Sequence, residues 1–172
     1  MFDRVLGLPA HPLMVHAAVV LVPLLALGGI AYAVAPMLRR HFRWPIGLLA
    51  LATPAAVVAA KLSGDQFKTN PNMSAPQQQA KISNHENFGN TTMWLTLGLG
   101  VAVLVLVLLV RAASSGPTRR GPDNTLVSSS SGGSPLLLQI ILGVVTVGLA
   151  GVTLYYVFKT GDSGARMVWD GF

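Results

Sequence analysis

The chain has 172 residues, of which 52% are hydrophobic and 10% are charged, and its mean hydropathy is +0.57. A soluble domain carries about a quarter charged residues to face water, so this composition excludes a soluble globular protein and indicates an integral membrane protein. The net charge is +6, yet no basic stripe with interleaved aromatic residues is present, so no nucleic-acid partner is expected. The absence of cysteine excludes disulfides and thiolate-bound metal or iron–sulfur sites.

Four apolar segments have the length of membrane-spanning helices. About 20 residues cross roughly 30 Å of hydrocarbon at about 1.5 Å per residue, and the lack of water there forces the backbone into helices. We therefore predict one all-α domain over residues 1–172, an integral membrane four-helix bundle. The predicted helices cover residues 12–35, 45–62, 84–110 and 135–158.

Local signals support these helix boundaries. Ser83 and Glu86 fit a capping box at the start of the third helix. Gly161 and Gly164 predict a C-cap and a turn after the fourth helix. A proline suits the first helical position because its missing N–H has no helical partner there. The prolines in such positions are Pro12, Pro45 and Pro135.

Loop composition indicates the orientation in the membrane. An even number of spans puts both termini and the loop after the second helix on one side. Basic residues divide six and six between the two sides, but one set is concentrated in the loops after helices 1 and 3, with Asp123 as their single acid. We therefore predict that both termini lie outside the cytoplasm, in a bacterial cytoplasmic membrane. Residues 112–133 are rich in Ser and Gly, which predicts a flexible loop.

A cleaved signal peptide is an alternative interpretation of the first helix, because residues 31–33, Ala-Tyr-Ala, resemble a cleavage site. Asp3 beside Arg4 makes a poor positively charged n-region, and the apolar run exceeds the usual h-region. These features favour a retained membrane span.

Three histidines are predicted at one end of the bundle. His11 and His16 lie at the start of helix 1 and His85 lies at the start of helix 3, whereas His41 lies at the opposite end. The positive end of a helix dipole disfavours the imidazolium and keeps the metal-ligating neutral form. Helix bundles build cofactor sites from side chains on different helices. We therefore predict that His11, His16 and His85 bind haem b or a metal ion.

A haem and a copper ion would use these three histidines differently. A bis-histidine haem b needs two of the rings, and depth along the helices favours His11 with His85 at least as much as His16 with His85. Arg166, after helix 4, is a candidate partner for a haem propionate or for an acidic side chain. A copper site can add thioether ligands. The candidate methionines are Met14, Met73 and Met93.

The same residues also have a structural interpretation. Each histidine can serve as a helix-start residue or as a hydrogen-bonding residue that holds the bundle together. In helix 4, small and polar residues recur every three or four positions and predict a seam that faces the other helices. The seam residues are Gln139, Gly143, Thr146, Ala150 and Thr153.

Three motifs carry a resemblance to a known family. The sequence has HPLMVH at residues 11–16, HENFG at 85–89 and TGDSGARMVW at 160–169. With these motifs it resembles a bacterial family of four-helix membrane proteins known only as a domain of unknown function. Relatives in that family are joined to cytochrome c or Rieske-type modules. The resemblance therefore implies a setting near electron transport.

Two functions from different classes follow. The first is a membrane protein whose extracytoplasmic histidines bind haem b or copper for electron transfer, with a respiratory-chain or other membrane protein as partner. The alternative is a non-catalytic accessory or scaffold subunit of a larger membrane complex, surrounded by lipid. An independent enzymatic activity is less expected, because nothing in the sequence fixes the distance between Asp65 and Glu86 as an acid and base.

Overall fold

The computed structural model describes residues 4–5, 8–67, 76–114, 119–120, 126–127 and 134–169. Four long helices dominate: α1 (Ala10–Val34), α2 (Arg39–Phe67), α3 (Pro76–Ser114) and α4 (Ser134–Trp169). A 3₁₀ turn, Pro36–Leu38, joins α1 to α2. Two short antiparallel pairs flank the helices, β1 (Arg4–Val5) with β2 (Leu8–Pro9) and β3 (Arg119–Arg120) with β4 (Leu126–Val127).

All four helices are long and apolar enough to cross a membrane, which confirms the predicted all-α membrane bundle. Large apolar side chains cover the outer surface; Leu27, Leu48 and Val144, for example, are 58%, 68% and 68% exposed. In a bilayer this surface contacts lipid. The candidate spans are Leu13–Val34, Pro36–Gln66, Gln79–Ala113 and Leu136–Met167.

The helices pack in a ring in chain order, so that each contacts the helix before and the helix after it. α1 and α4 close the ring, and α1 also approaches α3 across the diagonal. The helix pairs α1–α2 and α3–α4 are therefore the two natural halves. The buried core lies between them and consists of Leu25, Ala26, Tyr32, Ile46, Ala50, Leu99, Val103, Leu106 and Ala150.

Gly100 permits the closest approach between the two halves. Pro54 in α2 has no N–H, which removes the usual helical partner of the Ala50 carbonyl. The backbone of α3 passes close to this carbonyl at Gly100. A Cβ atom on residue 100 would lie 2.9 Å from Ala50 O and 2.8 Å from Pro54 Cγ. Any side chain at this position would push α3 away from α2.

The small and polar seam of α4 faces the other helices, as the sequence predicts. Thr146, Ala150 and Thr153 are fully buried, and Gly143 is buried as well. The Thr146 and Thr153 hydroxyls each donate to the carbonyl four residues earlier, at 2.7 Å. Their hydrogen-bonding groups are therefore satisfied inside α4, which leaves the methyl groups to pack against the neighbouring helices.

Two helices start more than one turn earlier than the sequence predicts. α2 begins at Arg39, whose guanidinium donates to the carbonyls of Tyr32 and Ala33 at 3.0 and 2.9 Å. These bonds close the end of α1 and turn the chain directly into α2, so Pro45 lies inside the helix. α3 begins at Pro76, so the capping box predicted at Ser83 is wrong.

α4 extends beyond its predicted end. It continues through Gly161 and Gly164 to Trp169, so the C-cap and turn predicted there are wrong. Hydrogen bonds to α3 hold this last part, including one of 2.8 Å between the Thr92 and Thr160 hydroxyls. In the predicted loop 112–133, α3 reaches Ser114 and β3 pairs with β4; the rest lies outside the described residues.

Candidate functional site

His11 and the end of α2 form a compact contact at one end of the bundle. His11 is half-buried, and its Nδ1 lies 3.0 Å from Ser63 Oγ. The ring rests on Gly64, where an added Cβ would lie 3.0 Å from the imidazole Cε1. The Ser63 hydroxyl donates to the Ala60 carbonyl at 2.8 Å. We call His11, Ser63 and Gly64 the first clasp.

The first clasp determines which nitrogen of His11 carries a proton. A serine hydroxyl has one proton, and Ser63 gives it to the Ala60 carbonyl. Its oxygen must therefore accept the bond from His11, so Nδ1 carries the hydrogen. In the neutral ring the lone pair is then on Nε2, one of the two nitrogens through which histidine ligates metals.

His85 and the end of α4 repeat this arrangement in the second half of the bundle. His85 Nδ1 lies 2.9 Å from Ser163 Oγ, and the Ser163 hydroxyl donates to the Thr160 carbonyl at 2.9 Å. An added Cβ on Gly164 would lie 3.1 Å from the ring Cε1 of His85. We call His85, Ser163 and Gly164 the second clasp. By the same argument, Nδ1 of His85 is the donor, so in the neutral form of the ring the lone pair lies on Nε2.

The two clasps are the same contact, repeated in the two helix pairs. In each pair the histidine comes from the first helix, and a Ser-Gly step near the end of the second helix contacts its ring. Ser63 and Ser163 are the functional candidates that the sequence interpretation missed. The available signal was the recurrence of Ser-Gly near the ends of the second and fourth helices.

A charged group connects the clasps. Lys61 Nζ lies 2.7 Å from Asp65 Oδ2 on its own helix and 3.8 Å from Glu86 Oε1 on α3. Lys61 is two residues before Ser63, and Glu86 follows His85. Asp65 and Glu86, the pair considered above as an acid and base, therefore both lie near the ammonium group of Lys61.

Burial sets the charge of the first clasp. Desolvation lowers the pKa of His11 below its usual 6.5, and hydrogen bonding to the Ala60 backbone opposes this shift in part. The ring is therefore neutral at neutral pH, which is the form that can ligate a metal.

The remaining predicted site residues lie outside the clasps. His16 is exposed, and five residues of helix rotate it about 140° away from His11. Arg166 Nε lies 3.0 Å from Asp162 Oδ2, and its side chain is 66% exposed. A ligand role for His16 and a propionate-binding role for Arg166 stay predictions. His41 is exposed at the opposite end of the bundle.

The described residues contain no group of three or more His, Asp or Glu side chains that could hold a metal ion. Of the methionines considered for copper, Met73 lies outside the described residues. His11 and His85 share the same hydrogen-bonding pattern at Nδ1.

Comparisons with known proteins place these features in a family. A family model described as a predicted membrane protein, DUF2231, matches residues 7–171, a range that contains all four helices and both clasps. No curated protein and no solved structure matches the chain.

Proposed function

We propose that this chain, which belongs to the DUF2231 family of predicted membrane proteins, is an electron carrier in which His11 and His85 bind a haem b. When bound, the haem iron supplies one-electron transfer. The chain supplies two imidazoles on different helices, and it has no enzymatic reaction of its own.

The observation that carries this proposal is the matching tautomer of the two rings. Histidines that ligate a metal usually donate their other N–H to a hydrogen-bond acceptor, which fixes the ring and raises its basicity. Ser63 and Ser163 are such acceptors, at 3.0 and 2.9 Å. Gly64 and Gly164 leave room for the rings to lie against the helix backbone. Ser63 and Ser163 would thus orient His11 and His85 for binding a haem.

The number of ligands favours haem over copper. A bis-histidine haem requires two protein ligands, because the porphyrin supplies the other four ligands of the iron. A copper site built on these histidines needs further ligands, and the described residues contain no group of three or more His, Asp and Glu side chains that could supply them. His11 and His85 satisfy the first requirement without further residues. His16 is then an exposed residue beside the site.

The location proposed for this carrier is the bacterial cytoplasmic membrane, with both termini and both clasps on the extracytoplasmic side. The arginine-rich loops at the other end of the bundle support this orientation. The partner proposed is a respiratory-chain or other membrane redox protein that exchanges one electron at that surface. Arg166 is the proposed partner of a haem propionate.

The absorption spectrum of the purified chain tests the proposal. We expect a Soret band, either as isolated or after reconstitution with haemin, in a stoichiometry of one haem per chain. His11→Ala and His85→Ala should each remove the low-spin spectrum, since each leaves the iron with one axial imidazole. His41→Ala, at the opposite end of the bundle, is the matched control and should leave the spectrum unchanged.

Two results would contradict the proposal. One is a well-folded protein that takes up no haem. The other is a Soret band that survives both alanine changes at positions 11 and 85. If His16→Ala removes the band while His11→Ala does not, the haem is held by the other histidine of α1.

A non-catalytic accessory subunit is the second candidate function, and the outer face of α4 favours it. Gly148 and Gly151 are exposed, and an added Cβ at either position would meet nothing within 4 Å. Small residues on an outer face let the helix of a partner approach closely. Gly148→Leu should then release the chain from its complex, whereas His85→Ala should not. If complex assembly tolerates Gly148→Leu, this candidate fails.

A further inference from the structure

A surface cavity lies between α3 and α4, beside the second clasp. Its volume is about 220 Å³, and it opens to the outside of the bundle. Ser163, which hydrogen-bonds to His85 in the second clasp, also forms part of the cavity wall. The cavity and the second clasp are therefore adjacent. The lining residues are Lys81, Asn84, Phe88, Lys159, Asp162, Ser163 and Arg166.

The cavity is strongly basic. Three cationic side chains and one carboxylate line it, a formal charge of +2. Arg166 and Asp162 form an ion pair at 3.0 Å, and Lys81 and Lys159 line the cavity from opposite sides, one on each helix. Asn84 and Ser163 add hydrogen-bonding groups. This is the chemistry that binds a phosphate oxygen.

The position of the cavity matches the boundary between lipid tails and water. The apolar part of α4 ends at Phe158, which is 71% exposed, and Lys159 follows directly. Lys159 Nζ lies 5.8 Å from the centre of the Tyr155 ring, whose side chain is itself on the outer face. Lysine and tyrosine side chains in this arrangement are typical of the headgroup region.

We propose that this cavity binds the phosphodiester headgroup of an anionic phospholipid such as phosphatidylglycerol. The two lysines contact the phosphate, Phe88 lies against the glycerol, and the acyl chains run along the outer faces of α3 and α4. The apolar wall below Lys159 favours a lipid over a free phosphate ion, which has no apolar part to bury there.

Native mass spectrometry of the full chain in detergent tests this site. Phosphatidylglycerol and phosphatidylcholine with the same acyl chains are added in separate titrations, and inorganic phosphate is added in a third. We expect phosphatidylglycerol to remain bound at concentrations where phosphatidylcholine is lost. The variant with Lys81→Gln and Lys159→Gln should bind phosphatidylglycerol about 25-fold more weakly, because each basic residue near a membrane surface contributes about 1 kcal/mol, or roughly fivefold.

Arg40→Gln is the matched control, since it removes one exposed positive charge at the opposite end of the bundle. It should leave phosphatidylglycerol binding unchanged. The proposal is overturned if the wild-type chain holds both lipids equally, if Arg40→Gln weakens binding as much as the lysine changes, or if inorganic phosphate displaces the lipid at equal concentration. Because both lysines are at least partly exposed, the single variants should fold and separate the two contributions.

Discussion

The α1–α2 pair and the α3–α4 pair make the same histidine contact from helices of different length. His11 is the second residue of α1, whereas His85 is the tenth residue of α3. In both pairs the imidazole donates to a serine hydroxyl and lies on the glycine that follows it. The clasp geometry therefore depends on the Ser-Gly step and on how the two helices pack. It does not depend on how far the histidine lies from the start of its helix.

Besides the Lys61–Glu86 contact at the histidine end, the two pairs are joined by packing along the helices. Each clasp joins its two helices by a hydrogen bond at one end. The pairs themselves meet by close backbone packing, most closely where Gly100 of α3 lies against Pro54 and Ala50 of α2. Changes at Gly100 should therefore affect the whole bundle, whereas changes in a clasp should affect one pair.

The largest effect is expected from Gly100→Ala. The new Cβ would lie 2.9 Å from the Ala50 carbonyl oxygen, and a backbone atom cannot move away without shifting a helix. We expect the free energy of unfolding to fall by about 2–3 kcal/mol, as for other overpacked positions. Thermal unfolding in detergent measures this. Gly98→Ala, two residues away in open space, should instead be neutral or slightly stabilising; equal behaviour of the two variants would contradict the packing argument.

A smaller and paired effect is expected from Gly64→Ala and Gly164→Ala. The new methyl groups would lie 3.0 and 3.1 Å from the rings of His11 and His85, so each ring must move away from its serine. We expect a loss of about 1–2 kcal/mol in each case, from strain and a weakened hydrogen bond. Gly161→Ala is the control, since nothing lies within 4 Å of it. If only one of the two clasp variants is destabilised, the repeats are not equivalent.

The sequence predicts which histidines share an end of the bundle but not what they contact. Hydropathy locates the helix starts, and an even number of spans places His11 and His85 on the same side. Ser63 and Ser163 become partners only because α1 packs beside α2 and α3 beside α4 in one axial register. Hydropathy contains no information on that register.

The helix ends illustrate the same limit. Gly161 and Gly164 resemble a C-cap and a turn when they are considered alone, since glycine is common at both. Contacts with α3 override this local preference: the Thr92–Thr160 and His85–Ser163 bonds keep the end of α4 helical. Local signals predict helix ends correctly only where no neighbouring helix continues alongside.

Ser63→Ala and Ser163→Ala should lower the free energy of unfolding less than the glycine variants do. Their main effect should be weaker haem binding. Loss of one side-chain hydrogen bond in a membrane bundle costs about 0.6 kcal/mol on average. Loss of the group that orients a metal-bound histidine lowers ligand affinity by about 10- to 100-fold. Haemin titration and thermal unfolding measure the two effects separately.

Threonine restores the hydroxyl in these serine variants, so Ser63→Thr and Ser163→Thr should recover most of the haem affinity. Ser83→Ala, an exposed position on α3, is the control and should change neither property. Unchanged haem affinity in both alanine variants would mean that the serines serve packing alone.

The smallest expected effect is a pH dependence that originates in the first clasp. Burial lowers the pKa of His11 below 6.5, with hydrogen bonding to the Ala60 backbone opposing it in part. The unfolded chain therefore takes up a proton at higher pH than the folded chain does. The contribution of His11 to stability is complete above pH 6.5 and falls as the pH drops from 6.5 towards the lowered pKa. Thermal unfolding in detergent, followed from about pH 8 to about pH 5, should show this decline, and His11→Gln should make it shallower. A decline of the same slope in His11→Gln would mean that protonation of other groups governs the acid sensitivity.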